Sequence, residues 1–122
     1  MRPIKFRAKT TANGHWVYGC LVVHCNKYYS IQNKKSNPWV CPETIGQFTG
    51  LKDKNKKEIY EGDIVRYYDD IEDELRCAEV RYDSAFCSFN VVPKKRDACS
   101  LSAFWEYEVI GNIYDNPELI RE

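Results

Sequence analysis

No stretch of this chain approaches 18 consecutive apolar residues, which excludes a hydrophobic membrane-spanning helix. The opening MRPIKFRAKT alternates charge with bulk instead of forming a basic and then apolar leader, so a cytoplasmic location is expected. No Cys-x-x-Cys pair occurs among the six cysteines, which removes the zinc-ribbon and thioredoxin-type motifs. Without an export signal, and with enough chain to build a core, the cysteines read as free thiols and not as a disulfide framework. There is no net charge, 18 basic residues balancing 18 acidic ones, so no excess of one sign marks the whole chain for a polyanion or an acidic substrate. A glycine-rich phosphate loop and a local nucleophile-and-base signature are both missing. The expectation is a protein that is not an enzyme, with no cofactor and no bound metal.

What is present is globular. The 122 residues are 43% hydrophobic, 30% charged and 14% aromatic, too apolar for disorder, and of a length that buries roughly two-thirds of the unfolded surface. One domain over residues 1–122 is expected. The charges are distributed unevenly: residues 1–57 carry 11 Lys and Arg against Glu43 and Asp53, a balance of +9, and residues 58–122 carry 7 basic and 16 acidic residues, a balance of −9. Such asymmetry hints at a charged partner surface, unless the two halves interleave in a single compact fold and pair with each other.

Hydrophobic patterning indicates short strands. Ile4, Phe6 and Ala8 alternate with Lys5 and Arg7, the period-2 signature of a half-buried strand. Asn13-Gly14 predicts a type I′ turn into the β-rich run 15–23, giving an N-terminal hairpin. Residues 27–32 predict another strand, 33–37 with Pro38 a turn, and 53–57 a surface turn between Leu51 and Ile59. Gly62 leads into a strand to Tyr68, the acidic run 69–74 forms a loop, and 77–83 with 86–92 form a hairpin around Ser84 and Ala85, across which Cys77 and Cys87 face each other. Residues 97–105 suggest a short helix capped by Asp97, 106–114 a strand, and Asn116-Pro117 the start of one or two terminal helical turns. Short strands at this spacing favour a small barrel or sandwich.

The most constrained block is Ile45 to Val65, IGQFTGLKDKNKKEIYEGDIV. Its glycines Gly46, Gly50 and Gly62 permit φ values that other residues resist. With IKFRA near the start and EVIGNIYDNPEL near the end, this block resembles the YopX family of small bacteriophage and prophage proteins. The matching residues are Ile4 to Ala8, Gly46, Gln47, Thr49 to Lys54, Glu58 to Val65, Val109 to Asn112, Tyr114, Asn116 and Pro117. The chain departs from the family pattern at Lys9, where an aromatic residue is frequent, and at Asn55-Lys56, where the turn is commonly Asn-Gly. The resemblance implies a mainly β fold with a small SH3-like barrel, to which the N-terminal hairpin and C-terminal helical turn are additions, in a bacterial host cell, with no established activity. Gly46, Gly50, Glu61, Gly62, Asp63, Gly111 and Asn112 are its structural motif residues.

Four constellations could carry chemistry. Glu58, Glu61 and Asp63 put three carboxylates within six residues, a cation or acid–base set unless Asp63 serves the turn by accepting backbone N–H groups. The acidic run 69–74 lacks EF-hand spacing and reads as a solvated hairpin tip. Cys20, His24 and Cys25 are the clustered soft ligands, although Cys25 points away from the other two in a strand. Finally, Lys5-Phe6-Arg7 and Lys27-Tyr28-Tyr29 interleave cations with aromatics, and Lys52, Lys54, Lys56 and Lys57 could add phosphate contacts. The expected function is a non-catalytic interaction module, for self-assembly or docking to a host protein, with Trp16, Trp39 and Trp105 as anchors. The alternative is a nucleic-acid-binding barrel using the basic half; a membrane partner is not expected.

Overall fold

The computed structural model describes residues 3–25, 27–93, 98–102 and 106–120. It is mainly β, with two antiparallel sheets, and the chain divides into two compact units, Met1–Gly50 and Leu51–Glu122. No described helix is long and apolar enough to cross a membrane.

The first unit holds β1 (Phe6–Lys9), β2 (Trp16–His24), β3 (Tyr28–Gln32), β4 (Trp39–Val40) and the start of β5 (Gly46–Lys52), in the order β4-β3-β2-β1-β5. The alternation read over Ile4 to Ala8 holds only in part: Ile4 precedes β1 and is 62% exposed, and Arg7, expected on the wet side, is buried beneath Trp16. Phe6 and Ala8 face a cluster built on Ala8, Ile31 and Val40, with Val17, Leu21, Tyr29 and Ile45 packed against it. The β1–β2 connection is not a type I′ turn, because Gly14 has φ +71° while Asn13 stays at negative φ, and type I′ needs both positive. Thr10 N–H instead donates to His15 O at 2.9 Å, and Asn13 Oδ1 accepts from the Thr10 hydroxyl and from His15 N–H. The side chain of Asn13 organises a longer loop.

Gly19 has no room for a side chain: a Cβ there would stand 2.2 Å from the backbone oxygen of Gln32. It sits where β2 stops pairing with β1 and begins pairing with β3. The two-residue β4 is held on both sides, by Tyr29 and Ser30 of β3 and by the end of β1. There Val40 bridges Thr10, Thr11 N–H donates to Trp39 O at 3.0 Å, and Cys41 N–H donates to Lys9 O at 2.8 Å.

The second unit contains β6 (Glu58–Tyr60), β7 (Asp63–Asp69), β8 (Glu74–Asp83), β9 (Ser88–Pro93), β10 (Cys99–Ser100) and β11 (Glu108–Asn112). Its five-stranded sheet runs β10-β9-β8-β7-β11, and β6 lies next to β5. Ile59, Val65, Tyr67, Ala78, Val80, Val91 and Tyr107 form its core. Pairing of Asp83 with Ser88 and of Ala78 with Pro93 puts Cys87 in the hairpin loop and Cys77 at the far end of β8, so these two thiols do not face each other. Where a short helix was expected over 97–105, Cys99–Ser100 is a strand and Ala98, Leu101 and Ser102 are not helical; Asp97 and 103–105 lie outside the described residues. A 3₁₀ turn, Pro117–Leu119, follows Asn116, whose side chain accepts from Asn112 N–H at 3.2 Å and makes no cap bond to the turn.

Candidate interaction cleft

The block from Ile45 to Val65 acts as scaffold. Gly50 and Gly62 have φ of +92° and +89°, whereas Gly46 has no positive φ and lies buried opposite Arg7. Asp63 is buried and its Oδ2 accepts Tyr60 N–H at 2.8 Å, the expected turn geometry. Glu58 Oε1 accepts the Tyr60 hydroxyl at 3.0 Å, so two of the three clustered carboxylates hold the same tyrosine. Gly111 leaves room for Asn116, since a Cβ there would lie 2.5 Å from Asn116 Oδ1, and Asn112 Oδ1 accepts from Tyr114 and Asp115 N–H.

Asp53 was legible only as a turn residue. It is 7% exposed, and its Oδ1 accepts Asn55 and Lys57 N–H at 2.9 and 2.8 Å while Oδ2 accepts Val109 N–H at 3.0 Å. Burial pushes its pKa up, but the N–H groups of Val109, Lys57 and Asn55 outweigh that and hold the carboxyl below its ordinary 3.8. The central and C-terminal motifs therefore meet at one carboxylate. Lys56 in this turn adopts φ +66°, doing without a glycine at a left-handed position.

The basic residues fall into two groups. Lys5, Arg7 and Trp16 belong to the first unit, and Lys52, Lys54, Lys56 and Lys57 to the second. Lys5 Nζ stands 5.6 Å from the Phe48 ring centroid; the Arg7 guanidinium and Lys9 Nζ stand 4.6 and 5.4 Å from that of Trp16. Arg7 is only 5% exposed, so it is a packing cation and not a phosphate ligand. Lys54 reaches Glu108 at 3.9 Å, and Arg66 pairs with the same carboxylate. Trp105 lies outside the described residues.

Trp39 is different. It is 52% exposed, and Tyr28 beside it is 63% exposed, with ring centroids 6.0 Å apart at 66°. The His24 and Trp39 ring centroids are 4.7 Å apart at 65°, and His24 Nε2 is 2.9 Å from Ser30 Oγ, which fixes the imidazole. Next to this cluster opens a cleft of about 540 Å³ lined by Thr11, Lys27, Tyr28, Tyr29, Trp39, Val40 and Pro42. Register explains the arrangement: Trp39 pairs with Ser30 and His24 with Tyr28, two residues apart on β3 and so on the same face. Ser30 is 1% exposed, which keeps its hydroxyl from serving as a nucleophile for a bound substrate. Among the described residues no three His, Cys, Asp or Glu side chains gather to hold a metal.

At the other pole of charge, the β7–β8 hairpin tip carries Asp69, Asp70, Glu72, Asp73 and Glu74 around a solvent-facing Ile71. Asp69 Oδ1 accepts Ile71 and Glu72 N–H, and Oδ2 accepts Arg76 Nε–H at 2.8 Å, an interaction that lowers the Asp69 pKa. It is a solvated tip with internal order, as the sequence indicates.

Two antiparallel-β units, one carrying an aromatic cleft, define the class. The chain belongs to the YopX family, the family described as YopX protein matching residues 5–121. Its fold is similar to that in the crystal structure of protein EF1440 from Enterococcus faecalis, with a TM-score of 0.60 at 24% identity, covering 99% of this chain and 100% of that one. No curated protein matches the chain.

Proposed function

We propose that this protein is a non-catalytic interaction module that binds a protein partner through the Tyr28–Trp39 cleft. The observation that carries the reading is the exposed Trp39–Tyr28 pair over an open cleft of about 540 Å³, since exposed aromatics concentrate interface energy and soluble proteins bury most of theirs. The buried serine of the His24–Ser30 pair supports a structural and not a catalytic use. For nucleic acid the case is weaker: among the described residues Lys27 is the one cation lining the cleft, while Lys5, Arg7 and Lys9 stand over rings. The SH3-like barrel belongs to the same proposal, supported by β4 being hydrogen-bonded on both sides. So do a bacteriophage or prophage origin, drawn from the family resemblance, and a place in the bacterial cytoplasm, drawn from the opening MRPIKFRAKT.

The test is a photo-crosslinking amino acid at position 28 of the full chain, produced in bacterial cells. A discrete protein adduct that disappears with Trp39→Ala is expected. No adduct, or adducts indifferent to Trp39→Ala, would refute the cleft as a binding site. Retardation of single-stranded DNA at low salt, lost with the same substitution, would move the reading to nucleic acid.

A further inference from the structure

Resting on that reading, we infer that the occupant of the cleft is a second copy of this chain, docking the acidic β7–β8 hairpin tip with Ile71 as its apolar anchor. Three observations converge. First, the charge asymmetry of the sequence follows the division of the fold: residues 1–50 hold seven Lys and Arg against Glu43 alone, a balance of +6, and residues 51–122 hold eleven basic and seventeen acidic residues, a balance of −6. The cleft belongs to the positive unit and the tip to the negative one.

Second, the tip presents apolar surface where solvation alone would favour polar residues. Ile71 is 85% and Leu75 61% exposed within a run of five carboxylates. An exposed Ile at the apex of an acidic hairpin matches an aromatic cleft flanked by Lys27: the apolar group fills the cleft while the carboxylates meet the positive unit. Third, the tip is already ordered. Asp69 holds the Ile71 and Glu72 amides, and Arg76 holds Asp69, so docking loses little loop entropy.

The contact is heterologous, a cleft on one copy receiving a tip from the next, and such contacts build rings or chains. That geometry has a signature. A copy with a damaged cleft still offers a tip, and a copy with a damaged tip still offers a cleft, so the two damaged forms make one contact and stop at a dimer.

Sedimentation velocity of the full chain over a concentration series tests this, with Trp39→Ala and Ile71→Asp as the variants. Both positions are exposed, and circular dichroism checks that each variant folds. The wild type should assemble beyond the monomer at about 50 mM salt, weakening about tenfold or more at about 500 mM as the charges are screened. Each variant alone should be monomeric, and an equimolar mixture should form dimers and nothing larger. Glu43→Lys, one residue from Pro42 of the cleft, should strengthen wild-type assembly at low salt. A wild-type monomer throughout, variants that assemble like the wild type, or a mixture that stays monomeric would each overturn the inference. A crosslinked foreign protein at position 28 together with a strictly monomeric chain would overturn the second-copy occupant while leaving the cleft as an interaction site; no adduct of any kind would sink both.

Discussion

Removing the Asp53 carboxylate should do more damage than its place in a charged turn suggests. In Asp53→Ala three backbone N–H groups lose their acceptor. Those of Asn55 and Lys57 belong to exposed residues, where water replaces the carboxylate at a cost of a few tenths to about 1 kcal/mol each. That of Val109 is in a partly buried strand, where loss of a charged acceptor costs about 1–3 kcal/mol. The sum is about 3 kcal/mol. Asp53→Asn keeps one carbonyl oxygen for the turn but turns an amide toward Val109 N–H, donor against donor, and should cost about half as much. The pH dependence has a definite sign. The folded pKa lies below the ordinary 3.8, so the contribution is fully present above that value and is lost as pH falls through the folded pKa. The gap between wild type and Asp53→Asn should therefore narrow in acid below pH 3.8. Urea unfolding followed by circular dichroism gives the stability, and amide exchange at Val109 gives the specific readout. A loss below about 0.5 kcal/mol in Asp53→Ala, with Val109 still protected, would refute the cross-link between the two motifs.

Gly19→Ala should lower stability by about 2–3 kcal/mol because its Cβ meets backbone and not a movable side chain, whereas Gly14→Ala, with nothing within 4 Å but φ at +71°, should cost about 1 kcal/mol; equal melting shifts for the two would contradict the close approach at Gln32. Lys56→Gly should raise stability by about 0.5–1 kcal/mol by relieving a left-handed residue, and a lower melting temperature would rule that conformation out. Burial, with Cys99 and Tyr107 as further contributors, raises the Tyr67 pKa from 10.0 to about 12. Its folded pKa exceeds its unfolded one, so the associated stability, about 2–3 kcal/mol, is intact below pH 10 and is lost between pH 10 and about 12. Tyr67→Phe should flatten that alkaline loss, and an unchanged alkaline profile would count against the assignment.

The sequence made β1 legible because its apolar and charged residues alternate, although packing against Trp16 buries Arg7 on the second face as well. It placed the β8–β9 hairpin, but a turn about Ser84 and Ala85 already pairs Cys77 with Val92, so setting Cys77 opposite Cys87 was inconsistent with that turn; the structure shifts the register further, to Asp83 with Ser88. Asp53 read correctly as a turn residue. Its bond to Val109 did not show, because no local pattern announces a partner 56 residues away. Gly19 did carry a signal, an isolated glycine within a β-rich run, which is where backbones approach closely. The Trp39–Tyr28 cleft was half visible: Tyr28 stood beside Lys27 and Trp39 was an anchor candidate, but their meeting comes from β4 pairing with β3.

Trp16 and Trp39 show why the same residue type, in the same unit, serves two ends. Trp16 opens a nine-residue strand beside β1, whose alternation sends Arg7 and Lys9 to the same side of the sheet, and their cations cover its ring. Trp39 sits in a strand of two residues followed at once by the 3₁₀ turn Pro42–Thr44, so β4 offers backbone to both neighbours but no further rung of side chains to shield the indole. His24 and Tyr28 meet it at steep angles, 65° and 66°, and it remains 52% exposed. An indole bonded into place through its own backbone and left half exposed loses little entropy when a partner covers it. The physical distinction between a cation-covered tryptophan and a bare one here is strand length, and under the proposed function it favours β4 over the basic face of β1 as the interaction site.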